Sequence, residues 1–370
     1  MEPARTTWVE VSRSALHRNY DAVRAHAGTP ICAVVKANAY GCGLVESALV
    51  FHRAGARMLG VTRVEEAREL RNSGVAAEIL ILAPPPREML AEAISKNCAL
   101  TLADGADVEP YAAAARAAGR PARIHLKVDT GMGRLGVRPE HAPGVASRVA
   151  ASPDLELEGV WTHFADAAER DVSLRQLERF LAVRGALGRY APRALLHAAN
   201  SSATLALPAA RLGMVRIGTL LYGQDPAGVR APFPLADAFA WHATVVSVRD
   251  LAAGATVGYG REWRAKEPAR VATLAVGYAD GFGIEPAARS ESMLEAARVG
   301  GRVAAVALKR RPTPRVVWFG SESAPVVGRI AMQEVSVLVD GLKDVRVGSV
   351  ARIPARRLLV GTHIERVYIP

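Results

Sequence analysis

Eight short runs of β-branched and apolar residues recur through roughly the first 225 residues, most of them followed by helical spacing, and this alternation leaves few architectures open. The runs are Ile31–Lys36, Met58–Thr62, Glu78–Leu82, Cys98–Leu102, Arg123–Asp129, Leu157–His163, Leu195–Ala199 and Met214–Leu221. Helical periodicity lies at Leu44–Ala54, Val64–Asn72, Arg87–Ser95, Asp107–Ala118 and Val172–Leu187. Alternating strands and helices make a parallel sheet, and eight such units predict an α/β fold closed as a (β/α)8 barrel of TIM type. An open doubly wound sheet would alternate in the same way. Arg123–Asp129 favours closure: Ile124, Leu126 and Val128 form one face, while His125, Lys127 and Asp129 place charge where a barrel interior or mouth would hold it.

After about Pro232 the pattern changes to short β-like runs, at Thr244–Val248, Ala272–Gly277, Val316–Phe319, Val335–Val339 and Val350–Ile353. The expected organisation is a barrel domain over 1–232 and a β-rich domain over 233–370. An Arg- and Ala-rich stretch between Pro286 and Pro314 reads as a short helix or an exposed insertion.

The formal charge of +11 invites a nucleic-acid reading, but the basic residues are interspersed with acids, aromatics are 5%, and no nucleic-acid-binding motif occurs. No apolar run reaches the roughly 20 residues that span a bilayer, and the N-terminus has no secretory core, so neither membrane nor nucleic acid is an expected partner and a cytoplasmic location is expected. Cys32, Cys42 and Cys98 are odd in number with no metal-binding spacing, which points to reduced thiols and no metal. Only six of the 47 basic residues are lysine. A lysine inside an apolar strand therefore stands out, because an amine can lose its proton and act as a nucleophile where a guanidinium cannot.

In a (β/α)8 barrel the reactive groups sit at the C-terminal strand ends. There the sequence offers Lys36 with Asn38 and Tyr40, Lys127 with Asp129 and Arg134, His163, Asn200 with Ser201, and Arg216 with Gly218 and Thr219. Burial of Lys36 at the end of Ala-Val-Val-Lys would leave it a neutral amine; the plainer reading is a snorkelling strand end. A glycine-marked turn follows, from which Tyr40 could donate to an anion. Asn200-Ser201 and Gly218-Thr219 suit a phosphate, though Ser201 also reads as a helix N-cap. Gly131-Met132-Gly133-Arg134-Leu135-Gly136 fits the dinucleotide fingerprint, but it follows the fifth strand and Pro139 interrupts it.

Ala33-Val34-Val35-Lys36-Ala37-Asn38-Ala39-Tyr40-Gly41 resembles the cofactor-lysine motif of alanine racemases. The likeness continues in order through Leu126–Arg134, Thr162-His163-Phe164, His197–Ser201, Val215–Gly218, Gly258-Tyr259-Gly260, Gly277–Gly281 and Val327–Met332. The resemblance implies a homodimeric amino-acid racemase that uses pyridoxal 5'-phosphate, interconverts L- and D-alanine, and supplies D-alanine for peptidoglycan. Lys36 would carry the cofactor, with Tyr40, Asn200, Ser201, Gly218 and Thr219 near its phosphate and His163 and Arg216 near its ring, Arg216 at the nitrogen. Arg134 would meet the substrate carboxylate, and Lys127, as a carbamate, would hold Arg134. From the partner chain, Tyr259 would act as the second base, with Tyr278 and Met332 lining the substrate site. Two bases on opposite faces of Cα suit racemisation, and the His163/Arg216 pair would supply the positive charge a phenol needs to act as one. Without a carbamate, Lys127 would instead pair with Asp129 or another carboxylate.

Several positions depart from the family pattern. Gln333 stands where aspartate is common, Cys42 where histidine or serine is frequent, and no tyrosine lies between Val350 and Ile364. Rival functions are a serine or broader racemase, a decarboxylase of related fold, for which an acid rather than Arg216 is expected at the ring nitrogen, and a non-catalytic carrier of the cofactor.

Overall fold

The structure, a computed structural model, describes residues 5–188, 190, 192–284 and 315–370. The Pro286–Pro314 stretch lies outside the described residues. The chain divides into two units: Ser12–Ala238 with the last two residues, and Phe239–Tyr368 with the N-terminal residues up to Val11. Strand β1 (Thr7–Ser12) pairs antiparallel with a strand of the second unit, in register from Thr7↔Ala243 to Val11↔Phe239, so the first residues build the β-rich unit.

The first unit carries eight parallel strands: β2 (Ile31–Val34), β3 (Met58–Val61), β4 (Ile79–Ile81), β5 (Cys98–Leu102), β6 (Ala122–Lys127), β7 (Leu155–Trp161), β8 (Leu195–His197) and β9 (Val215–Ile217). They pair in the order β8-β7-β6-β5-β4-β3-β2-β9. The seam between β8 and β9 is bridged by Gly213 N donating to Leu196 O and Arg216 N to Ala199 O, which closes the ring as a barrel. Each of the eight predicted runs holds a strand, shorter than the run in β2 and β9; most are buried apolar stretches, while β7 and β8 are partly exposed. Cys32, Met58, Leu80, Ala99 and Met214 form a buried cluster contributed around the ring, with Leu82 and Leu195 against it. The barrel interior is therefore a packed core rather than a channel.

Helices fall where their periodicity put them, at Leu44–Arg53, Val64–Asn72, Leu90–Ser95, Val108–Ala118 and Arg170–Leu187. A further helix, Arg13–Ala27, precedes the first barrel strand; Ser12 caps it by accepting from Ala15 N, and Leu16, Tyr20, Val23 and Ala27 make its buried face. The fingerprint-like glycine run opens no helix. The Asp129 carboxylate accepts from Gly131, Met132 and Gly133 N–H and folds the run into a turn, so the dinucleotide reading fails.

The second unit comprises β10 (Phe239–Leu251), the ribbon β11 (Thr256–Val257) and β12 (Trp263–Arg264), β13 (Ala269–Leu274), β14 (Val316–Phe319), β15 (Glu322–Val327), β16 (Val335–Leu338), β17 (Val350–Ile353) and β18 (Glu365–Ile369). Strand β10 is 13 residues long and its register against β13 shifts between Val245 and Ser247. Its first half pairs with β1 and β17 and its second with β13, which bends the antiparallel sheet back on itself. Among the described residues no helix is long and apolar enough to cross a membrane.

Candidate active site

Lys36 lies two residues beyond β2 and begins an unusual turn. Ala37, Asn38, Ala39 and Tyr40 all have φ between 51° and 54°, a left-handed helical turn made without glycine. Each such residue costs roughly 1–2 kcal/mol, so the surroundings must impose it. They do so by Ala39 N donating to Val35 O, Leu44 N to Asn38 Oδ1, and Ala37 N to Glu66 Oε1 at 2.7 Å. The glycines that marked this turn in the sequence follow it instead: Gly41 caps it and Gly43 precedes the next helix.

The turn lifts the Tyr40 ring onto Tyr222, with centroids 4.8 Å apart, and sets its hydroxyl above Gly218, where a Cβ would collide with it. Gly218 N donates to Ser201 Oγ at 3.1 Å, so these groups converge on one spot with Thr219. The helix cap beside them is Asn200, whose Oδ1 accepts from Ala203 N, and not Ser201. Ser201 is thereby freed to face Gly218, while the amide oxygen of Asn200 is committed to the helix.

Across the barrel mouth, Arg216 is buried and held by neutral acceptors. Its Nη1 donates to His197 O and Nδ1, and its Nη2 to Thr162 O, Ala198 O and His163 Nδ1, at 2.8–3.2 Å. The Nε–H has no hydrogen-bond partner among the described residues. Burial lowers Arg216 to about 10, and burial together with Arg216 lowers His163 to about 2. His163 is therefore a neutral imidazole with its proton on Nε2, and the positive charge expected of the pair is that of Arg216 alone.

Lys127 is buried with its Nζ 4.4 Å from the centre of the Trp161 ring, and Arg216 lies over the same ring at 4.6 Å. The Lys127–Asp129 ion pair does not form, because the Asp129 carboxylate is taken by the glycine turn. Burial, with Arg134 and Arg216 adding to it, pushes Lys127 down to about 8. Burial and Arg134 also lower Lys36, against an opposing pull from Glu66.

These groups surround one cavity of about 450 Å3, lined by Lys36, Tyr40, Lys127, Arg134, Trp161, His163, Asn200, Ser201, Arg216, Gly218 and Thr219 with a few apolar and small side chains. Four basic side chains line it and no carboxylate does. Its chemistry suits a small ligand carrying more than one negative charge. Trp161, which no sequence motif singled out, is the shared platform of two of those basic side chains; its inward parity with His163 was the available signal.

Tyr259, Tyr278 and Met332 belong to the β-rich unit. Tyr278 N donates to Ala331 O and Ala279 N to Met332 O, and a Cβ at Gly258 would meet Arg329 N, so three loops lie side by side. The side chains of Tyr259, Met332 and Tyr278 are 76%, 59% and 47% exposed.

A closed parallel barrel with its polar and basic side chains at the C-terminal strand ends, around one cavity, has the form of a barrel enzyme whose site can hold a small ligand with negatively charged groups. The model described as "Alanine racemase, N-terminal domain" matches residues 11–226, and that described as "Alanine racemase, C-terminal domain" matches 238–357. The alanine racemase of Desulfosudis oleivorans is 35% identical over 362 residues, covering 93% of this chain and 86% of that protein. That of Geobacillus stearothermophilus is 36% identical over 345 residues, 91% of this chain and 81% of the relative. Among solved structures, Clostridium difficile alanine racemase superposes with a TM-score of 0.88 at 26% identity, covering 100% of this chain and 97% of its own. The Bacillus anthracis alanine racemase with bound L-Ala-P gives 0.84 at 28% identity, covering 100% and 96%. The chain belongs to the alanine racemase family and is an isomerase.

Proposed function

We propose that the protein racemises alanine with pyridoxal 5'-phosphate as cofactor, by a two-base mechanism in a homodimer with shared sites, supplying D-alanine for peptidoglycan in a bacterial host. The observation that carries this reading is the cavity in which Lys36, Lys127, Arg134 and Arg216 converge without a carboxylate. A phosphate, an aldehyde and an amino-acid carboxylate together need an anion cradle, an amine and a guanidinium, and the residues present fit that set.

The barrel unit would bind the cofactor: the Tyr40 hydroxyl, Ser201, Gly218 and Thr219 would take the phosphate, with Asn200 supporting them through the helix cap. Gly218 is needed there because a side chain would displace the Tyr40 hydroxyl. The free Arg216 Nε–H would donate to the ring nitrogen. Once bound, the cofactor supplies an electron-withdrawing ring that acidifies the substrate Cα–H. Arg216 holds its proton on the guanidinium, so it would orient the ring without protonating it, and the ring would be a weaker electron sink than one paired with a carboxylic acid.

Lys36, whose lowered pKa favours the neutral amine, would take or return the proton on one face of Cα. Tyr259 of the partner subunit would do so on the other, and His163 would offer its Nε2–H toward that face. Arg134 would hold the substrate carboxylate, and Tyr278 and Met332 of the partner subunit would shape the entrance. Lys127, buried without an acidic partner and with its ammonium form disfavoured, is suited to carry a carbamate that turns a cation beside Arg134 into an acceptor.

The test is to give the purified protein pyridoxal phosphate and optically pure L-alanine and to follow D-alanine by chiral chromatography. Conversion that is lost in Lys36→Ala and in Tyr259→Phe is the expected outcome. No conversion by a protein that binds the cofactor would overturn the alanine reading.

A further inference from the structure

Arg216 presents a problem of charge. It is a buried guanidinium with no carboxylate in contact, and a buried cation needs compensation. One of its partners leads onward. Arg216 Nη1 donates to His197 Nδ1 at 3.1 Å, and His197 Nε2 lies 2.9 Å from His125 Nδ1, both rings being fully buried. His125 Nε2 in turn faces Glu158 Oε2 at 3.6 Å, beyond hydrogen-bond range, and has no hydrogen-bond partner among the described residues, so the last contact is electrostatic.

The donor and acceptor roles follow from the first contact. A guanidinium has only N–H to offer, so His197 Nδ1 must accept and its proton must sit on Nε2. His197 then donates to His125 Nδ1, which places the His125 proton on Nε2, toward Glu158. The reverse order would set His197 Nδ1–H against an Arg216 N–H.

The barrel wall is shaped around this path. In the pairing of β6 with β7, Ile124 faces Leu157 but His125 faces Gly159, so Glu158 is the extra residue of a bulge. The bulge points Glu158 at His125 and at Arg123, which clasps it through two N–H bonds of 2.9 and 3.0 Å and also pairs with Glu78, so the cluster of one guanidinium and two carboxylates stays acidic. Gly159 leaves room for the imidazole, since a Cβ there would overlap the His125 ring. Trp161 stacks on His197 with its plane 8° away and closes the other side.

We infer that His197, His125 and Glu158 are positioning residues of the active site, a relay through the barrel interior, hydrogen-bonded from Arg216 to His125 and electrostatic from His125 to Glu158, that links Arg216 to an acidic cluster and fixes the guanidinium that would face the ring nitrogen. The functional side of this inference rests on the proposed role of Arg216; the relay itself does not. Burial tends to raise the Glu158 carboxyl, yet His125 and Arg123 lower it to about 2, which keeps the far end of the relay negative.

The experiment is a set of multiple-bond 15N–1H spectra of the histidine side chains, recorded on the full chain with and without pyridoxal phosphate and assigned with His125→Asn and His197→Asn. Both rings are expected to be neutral with the proton on Nε2 near pH 7; an Nδ1–H tautomer or an imidazolium at either ring overturns the relay. Glu158→Gln should shift the His197 nitrogens and lower kcat on the order of tenfold, with KM for alanine little changed. His125→Asn, whose amide oxygen replaces Nδ1 as acceptor, should retain most of the activity that His125→Leu loses. Unaltered His197 signals and kcat in Glu158→Gln would also overturn the inference. A wild type that takes up no pyridoxal phosphate would defeat the proposed function, while the spectra of the cofactor-free protein would still decide the relay.

Discussion

Lys127 illustrates how one residue's surroundings set its chemistry. Its ordinary value of 10.5 falls to about 8 because burial, Arg134 and Arg216 all disfavour the ammonium and only Asp129 opposes them. The sign of the pH effect follows. Between about 8 and 10.5 the unfolded chain holds a proton that the folded chain has released, so stability rises with pH across that window. Below it, burying the ammonium carries a constant cost. In buffer stripped of carbon dioxide, where no carbamate forms, Lys127→Met removes that cost while keeping the length of the side chain, so the variant should exceed wild type by on the order of 1–3 kcal/mol at pH 7, after discounting for screening at the cavity mouth. The gap should close as pH approaches 10.5. Urea unfolding of both proteins across that range measures it, and a gap that does not change with pH would mean that Lys127 is not a free titrating amine.

Among the elements, the left-handed turn after β2 is where local preference and tertiary structure disagree most. Glu66, in the first turn of Val64–Asn72, accepts from Ala37 N on one oxygen and from Thr62 N and Arg63 N on the other. A glutamine offers only one oxygen, so Glu66→Gln must leave an N–H facing an amide N–H. The expected cost is about 1–3 kcal/mol in urea unfolding, with weaker pyridoxal phosphate binding in a spectroscopic titration as Lys36 loses its fixed exit from the strand. Unchanged stability and unchanged binding together would show that the turn holds itself. This turn also marks the limit of what the sequence discloses. The strands were legible because a buried parallel strand announces itself in its own residues, as Cys98–Leu102 and Ile124–Lys127 do. Ala37–Tyr40 contains no residue that demands positive φ, and its geometry comes from Glu66, 29 positions away. Two adjacent residues able to cap, Asn200 and Ser201, could not be told apart without Gly218 nearby. Alternation put Lys127 and Asp129 on one face, but only the folded glycine turn shows that the carboxylate is already engaged.

At the scale of the whole molecule, the question is whether the proposed second base, Tyr259, would come from the same chain or from a partner. Tyr259, Tyr278 and Met332 form an exposed cluster on adjoining loops of the β-rich unit, which suits a face that meets another subunit. If each site combines Lys36 of one chain with Tyr259 of its partner, Lys36→Ala and Tyr259→Phe are inactive alone but complement each other. In a mixed dimer one site receives both substitutions and the other receives neither. Random exchange of equal amounts makes half the dimers mixed, so activity should return to about a quarter of the wild-type value. If each site takes both residues from one chain, every site in the mixture retains one substitution and no activity returns. Mixing the two tagged variants, exchanging subunits in mild denaturant and assaying D-alanine formation distinguishes the arrangements. Size-exclusion chromatography with light scattering on the same samples supplies the control: a monomer that racemises alanine would exclude the shared site, whatever the mixing experiment gave.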